Sequence, residues 1–226
     1  MNSKHLFFSA LFLISLSAFA QGGFNAGVLP SLNINKKINP RWKLNTTAAS
    51  RFYFYQSDFD AEENPHFLYE LADFSLLVNN RLSDDQSLSL GYLIRYQNSA
   101  FAHRIIQQYT LLSNYFAFRL SHRFSSDQTF QKEEAFQLRL RYRITSEFAL
   151  MGQSVNEKEF YLKVGNEYLG IYQETLALEI RATPFLGYLF TDNNKIELGV
   201  DYRLREVISP SRSTRLWCSL NWYLSF

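Results

Sequence analysis

The chain has 226 residues, a formal net charge of +2, 46% hydrophobic residues and 17% aromatic residues. So small a net charge gives no bulk attraction for nucleic acid or for an acidic partner. The single cysteine, Cys218, excludes an intramolecular disulfide and a cysteine-based metal centre, and with no phosphate-cradling glycine loop and no zinc-spaced histidine cluster, neither metal nor cofactor is expected.

At the amino terminus Lys4 and His5 precede the apolar run Leu6–Phe19, and Ala18-Phe19-Ala20 supplies a small-x-small cleavage pattern. This is the layout of a secretory signal. The run is short for a bilayer helix, which needs about 20 residues, so residues 1–20 are expected to be removed after Ala20. Gln21 follows where a lipid-anchored protein would carry cysteine. Downstream no apolar run has the length of a spanning helix. An exported chain that resides in lipid must then be a closed sheet, because hydrocarbon offers backbone groups no partner outside helices and barrels.

Period-two alternation, the mark of strands with two unlike faces, runs through the rest. Phe24, Ala26, Val28, Leu32 and Ile34 alternate within residues 21–40, which read as an N-terminal segment or a first strand. Within 41–226, Trp42, Leu44, Thr46 and Ala48 alternate with Lys43, Asn45 and Thr47. Leu88, Leu90, Tyr92 and Ile94 alternate with Ser87, Ser89, Gly91 and Arg95. The sharpest case sets Phe136, Leu138, Leu140, Tyr142 and Ile144 against Gln137, Arg139, Arg141 and Arg143. Ile196, Leu198, Val200 and Tyr202 alternate in the same way with Glu197, Gly199, Asp201 and Arg203.

The connections fall into two classes. Lys36–Pro40, Ser83–Gln86, Ser113-Asn114 and Thr191–Asn194 are short, whereas Gln56–His66, Asn98–Ala102, Ser125–Glu134 and Glu206–Thr214 are long and polar. Short and long alternate, as the turns and loops of outer-membrane barrels do. The fold class expected is therefore all-β, a single antiparallel up-and-down transmembrane β-barrel of about 10–12 strands. Residues 41–226 supply about ten. Residues 24–35 would make eleven, an unusual odd number, unless a further strand near Phe148–Gln153 makes twelve.

The last strand, Leu216–Phe226, places Leu216, Cys218, Leu220, Trp222, Leu224 and Phe226 on one face and Trp217, Ser219, Asn221, Tyr223 and Ser225 on the other. It resembles the closing strand of outer-membrane barrels, whose terminal Phe is read by the insertion machinery. Trp222, Leu224 and Phe226 are the residues expected to carry that signal. Cys218 falls on the apolar face, as a small lipid-facing residue.

If the apolar faces meet lipid, the alternate faces meet the lumen, and arginine dominates them. Arg119, Arg123, Arg139, Arg141, Arg143, Arg181, Arg203 and Arg205 share that face with Glu167, Glu179, Glu197 and Asp201. Arg51, Arg81, Arg95, Lys43, Lys163 and Asp73 join them, as do Arg104, Gln108 and Thr110 on a strand of less certain parity. Two readings stay open. Arg and Glu fill a narrow interior as a hydrogen-bonded network, with Glu167 or Glu179 as acids for the Arg139–Arg143 run; or the excess of arginine lines a path for anions. In the second reading a small anionic solute is the partner. A barrel acting only through its outer loops, as a structural or adhesion protein, is the alternative. Gly91, Gly187 and Gly199 recur at inward positions, where they relieve crowding or leave room for a ligand. A rim hydrolase built from His66, His103 or His122 with the Ser125-Ser126-Asp127 stretch is a weaker option, and no catalytic residue is assigned.

The order Leu90-Gly91-Tyr92, Arg104, Gln107-Gln108, His122-Arg123, Leu138-Arg139-Leu140-Arg141-Tyr142-Arg143, Asn166-Glu167 and Leu198-Gly199 resembles the bacterial family termed domain of unknown function 2490. The likeness spans roughly residues 40–226. It implies a barrel in the outer membrane of a Gram-negative bacterium, with outer-membrane lipid and the barrel insertion machinery as partners and no established activity. A monomer is expected.

Overall fold

A strand whose side chains alternate between two environments has its register fixed, because a one-residue slip would exchange the faces. In the computed structural model, which describes residues 23–57, 67–115, 118–152, 154–209 and 212–226, this rule holds apart from register shifts at Ala26/Gly27, Arg51/Phe52 and Asn194/Lys195. The signal segment lies outside the described residues, as does His66. The described chain forms β1 (Gly23–Lys37), β2 (Trp42–Ser57), β3 (Leu68–Arg81), β4 (Gln86–Gln97), β5 (Ala100–Asn114), β6 (Arg119–Gln131), β7 (Gln137–Ala149), β8 (Glu159–Gln173), β9 (Thr175–Thr191), β10 (Asn194–Arg205) and β11 (Ser213–Ser225). Each strand pairs with its chain neighbours, and β1 closes onto β11 to complete a barrel.

Among the described residues the strand number is eleven. The segment at 24–35 is a full strand, and Phe148 and Ala149 end β7 rather than starting another. Ten junctions are antiparallel, as expected, but the closing one is parallel, from Gly23 beside Ser213 to Asn35 beside Ser225. The cause is arithmetic: if every neighbour reverses direction, an odd number of strands leaves the first and last pointing the same way. Gly23 and Phe226 consequently lie at opposite ends of the barrel. Phe226 is tied to β1 through its backbone, its N–H donating to the Asn35 carbonyl and its carbonyl accepting from Lys37, both at 2.8 Å.

The sorting of loops by length is weaker than the sequence suggests. Asn98 and Ser99 form a two-residue hairpin turn with φ of 51° and 59°, the left-handed pair that such tight hairpins require. Ser125–Gln131 is not loop but the second half of β6. Its composition is polar because Ser125, Asp127 and Thr129 face the interior, while Phe124 and Phe130 keep the exposed alternation.

The barrel is inside-out relative to a water-soluble one. Leu90 is 60% exposed and Leu198 54%, while Asp127, Glu197 and Trp217 are fully buried in the lumen. Large lumenal side chains are accommodated by glycines on adjacent strands. A Cβ at Gly187 would fall 2.2 Å from the Tyr161 ring, one at Gly91 2.3 Å from Leu77, and one at Gly199 2.6 Å from Phe185. These glycines exist because a neighbour occupies their side-chain space.

Candidate functional site: the charged lumen

Strand parity delivers the charged residues to the interior, and cross-strand register decides their partners. Asp127 on β6 stands opposite Arg139 and one step from Arg141. Arg141 donates to its Oδ1 at 2.8 Å and Arg139 lies 3.3 Å from its Oδ2. One carboxylate thus holds two of the three clustered arginines; the third, Arg143, pairs with Glu167 at 2.5 Å. Arg181 bridges Glu167 (3.1 Å) and Glu179 (2.5 Å), and Arg205 reaches Glu179 at 3.3 Å. Two pairs are bidentate: Arg203 to Asp201 at 2.9 and 2.7 Å, and Arg95 to Asp73 at 2.8 and 2.7 Å. The planar guanidinium fork suits this geometry; the Arg95–Asp73 pair ties β4 to β3, and the Arg203–Asp201 pair lies within β10.

A separate cluster fills one side of the lumen near the Phe226 end. Glu197 accepts from the Tyr161 hydroxyl at 2.8 Å and from Lys163 at 2.7 Å, with Lys195 at 3.6 Å. Both ammonium groups also lie over aromatic faces, at 5.6 Å (Lys163) and 5.1 Å (Lys195) from the Tyr223 ring centre. Toward the opposite end the buried Trp217 and Tyr53 rings lie 4.8 Å apart, and Leu71 is buried as well. There a bulge in β3 between the pairs Arg51–Leu71 and Phe52–Tyr69 gives Glu70 an extra position, from which it reaches Arg215 at 3.1 Å and Arg51 at 4.0 Å.

Most residues expected in the lumen are therefore brought together, with two corrections. Arg119 starts β6 at the barrel end and is exposed, outside this network. Arg81 pairs with Asp84 in the adjoining turn, where both are exposed. Parity fails to hold Arg119 inside because the strand begins there. Asp127, Glu70, Arg215, Tyr161 and Lys195 are lumenal residues that the sequence reading missed. For Asp127 the signal was present: Phe124 and Phe130 continue the outward face through the polar stretch. For Glu70 it was not, because the bulge breaks the period.

The histidines stand elsewhere. His103 and His122 face outward, each against a tyrosine hydroxyl: Tyr92 at 2.7 Å and Tyr142 at 2.9 Å. Ser125 and Asp127 face inward, so the wall separates them from His122. On the final strand Trp222 is exposed and donates its indole N–H to Asn194 at 2.8 Å, Phe226 is exposed, and Leu224 is half-buried on the same face.

The charged groups leave space between them. Toward the Phe226 end lies a cavity of about 690 Å³, and toward the other end lie two more, of about 350 and 280 Å³. Arg51, Arg95, Arg139 and Arg181 line both the 690 and the 350 Å³ spaces, forming a layer across the barrel between them. The larger cavity is bordered by eight arginines and two lysines but one carboxylate, Asp73. Among the described residues Arg104 and Arg123 have no carboxylate within ion-pair distance; Arg104 instead donates to the Thr129 hydroxyl at 2.8 Å. The Nε groups of Arg123, Arg139 and Arg141 are buried without a hydrogen-bond acceptor.

This interior can hold negative charge and orient it. No curated protein and no solved structure matches the chain. Residues 26–214, from β1 into the start of β11, match the family model described as protein of unknown function (DUF2490), and the chain belongs to that family.

Proposed function

We propose that this protein is an outer-membrane β-barrel of a Gram-negative bacterium that takes a small anionic solute into its lumen. The belt of exposed Leu, Phe, Tyr and Trp around a closed sheet supports the membrane assignment, since water gives such a surface no reason to exist. Closure leaves no free sheet edge, which favours a monomer. The observation that carries the functional reading is the 690 Å³ cavity with ten cationic side chains and a single carboxylate on its border. Asp127 and Glu167 neutralise part of that charge, but Arg104 and Arg123 are left over, and unneutralised guanidinium in a low-dielectric interior attracts an anion. The arginine layer narrows the path, so the solute is held there rather than passing freely.

The test is zero-current potential of the purified barrel in planar bilayers under a potassium chloride gradient. Anion preference is the expected sign. Cation preference overturns the reading, and so does a folded, silent barrel that also fails to bind phosphate by calorimetry. That silent outcome would favour the second reading, a non-conducting structural barrel acting through its outer loops, which draws support from the shared carboxylates of the arginine layer.

A further inference from the structure

The 690 Å³ cavity has two chemically unlike walls, and their arrangement follows from register. Transverse rows of lumenal side chains change character around the barrel. One row runs Asn79, Ser89, Gln108, Ser125 and then Arg141, across β3 to β7. The next runs Ser87, Thr110, Arg123 and Arg143 across β4 to β7. On β1 and β2 the wall continues with Asn33, Asn35, Asn45 and Thr47, joined by the Thr47 hydroxyl donating to Asn33 at 3.0 Å and the Asn45 amide donating to Asn35. The β1–β5 side is thus mainly amides and hydroxyls, with Lys43, Arg51, Arg95 and Arg104 among them, and the β6–β7 side is mainly guanidinium.

A purely conductive anion path needs only the second wall. Amide and hydroxyl groups spaced along several strands match a ligand that both donates and accepts hydrogen bonds at many points. Each Asn offers two donors and two acceptor lone pairs, so the internal pairs leave capacity over. The cavity is within the range of small-molecule sites, about 300–1,000 Å³. Resting on the anion reading above, we infer that the lumenal site binds an anionic monosaccharide, a sugar phosphate or sugar acid, with its charged group on Arg104, Arg123 and Arg141 and its hydroxyls on the Asn/Ser/Thr wall.

Calorimetry on the full-length mature barrel in detergent tests this, with inorganic phosphate, acetate, glucose 6-phosphate and glucuronate as probes. Glucose 6-phosphate is expected to bind at least tenfold more tightly than phosphate, and glucuronate tenfold more tightly than acetate. Ser87→Ala with Thr110→Val should weaken the sugar anions at least threefold and leave phosphate unchanged. Arg123→Gln should weaken phosphate and sugar anions together; it removes a guanidinium that holds no carboxylate, and heat-modifiable migration on gels confirms folding of each variant. Phosphate binding with no gain from the sugar overturns this inference and leaves the anion reading standing. Failure of every anion to bind a correctly folded barrel removes both.

Discussion

Asp127→Asn is the substitution on which the description of the lumen turns. The carboxylate is fully buried, Arg139 and Arg141 beside it are 11% and 18% exposed, and no other carboxylate lies within ion-pair distance of either among the described residues. The amide keeps the shape and removes the charge. Two guanidinium groups are then left in the interior beside Arg104, which has no carboxylate of its own. Breaking a buried pair by removing one partner costs about 3–5 kcal/mol, because the remaining charge stays desolvated. At about 1.4 kcal/mol per factor of ten, the folding equilibrium falls by at least about 100-fold. The assay is urea unfolding of the barrel refolded into lipid vesicles, followed by circular dichroism and by gel migration. Added salt should recover little of the loss, since buried pairs are poorly screened. A change below about 1 kcal/mol, the value of an exposed pair, would refute the reasoning: it would mean that water already solvates Arg139 and Arg141 and that the arginine layer is not a paired lattice.

Two further substitutions probe the wall. Gly187→Ala places a methyl 2.2 Å from the Tyr161 ring, whose hydroxyl holds Glu197. Such overpacking should cost about 1–3 kcal/mol in the same unfolding assay, whereas Gly170→Ala, with its nearest neighbour at 3.9 Å, should show no loss or gain about 0.5–1 kcal/mol from the lower chain entropy. Leu90→Arg tests the membrane assignment itself: Leu90 is 60% exposed in the middle of β4, so the cationic side chain should cost about 2–4 kcal/mol if that face meets hydrocarbon but stay within about 0.5 kcal/mol if it meets water.

What could be read from the residues alone was whatever depended on the two-residue period. Faces came out correctly along β4, β7, β10 and β11 because Leu88–Ile94, Leu138–Ile144, Ile196–Tyr202 and Leu216–Leu224 alternate without interruption. The period is local, so it sorts side chains to faces but does not say which strand lies opposite, and partner assignment follows strand register. The sequence reading offers Glu167 or Glu179 as acids for the Arg139–Arg143 run, yet two of those arginines look to Asp127 on the neighbouring β6. The strand count had the same origin. Nothing in Phe24–Ile34 distinguishes a strand that closes a barrel in parallel from a segment that lies elsewhere; only pairing to β11 decides it.

The residues that escaped the period are the ones that give the lumen its asymmetry. Asp127 looked like part of a loop because polar residues that line an interior have the composition of a surface connection, and Glu70 was hidden by a bulge that spends one residue out of phase. With both restored, four acids near the arginine layer prove to be shared ones: Asp127 on β6, Glu167 on β8, Glu179 on β9 and Glu70 on β3. Each is already committed to two guanidinium groups. A carboxylate so committed anchors an arginine without cancelling its field, since two cations share one negative charge. The lattice that stiffens this barrel and the positive potential that would draw in an anion are therefore one arrangement.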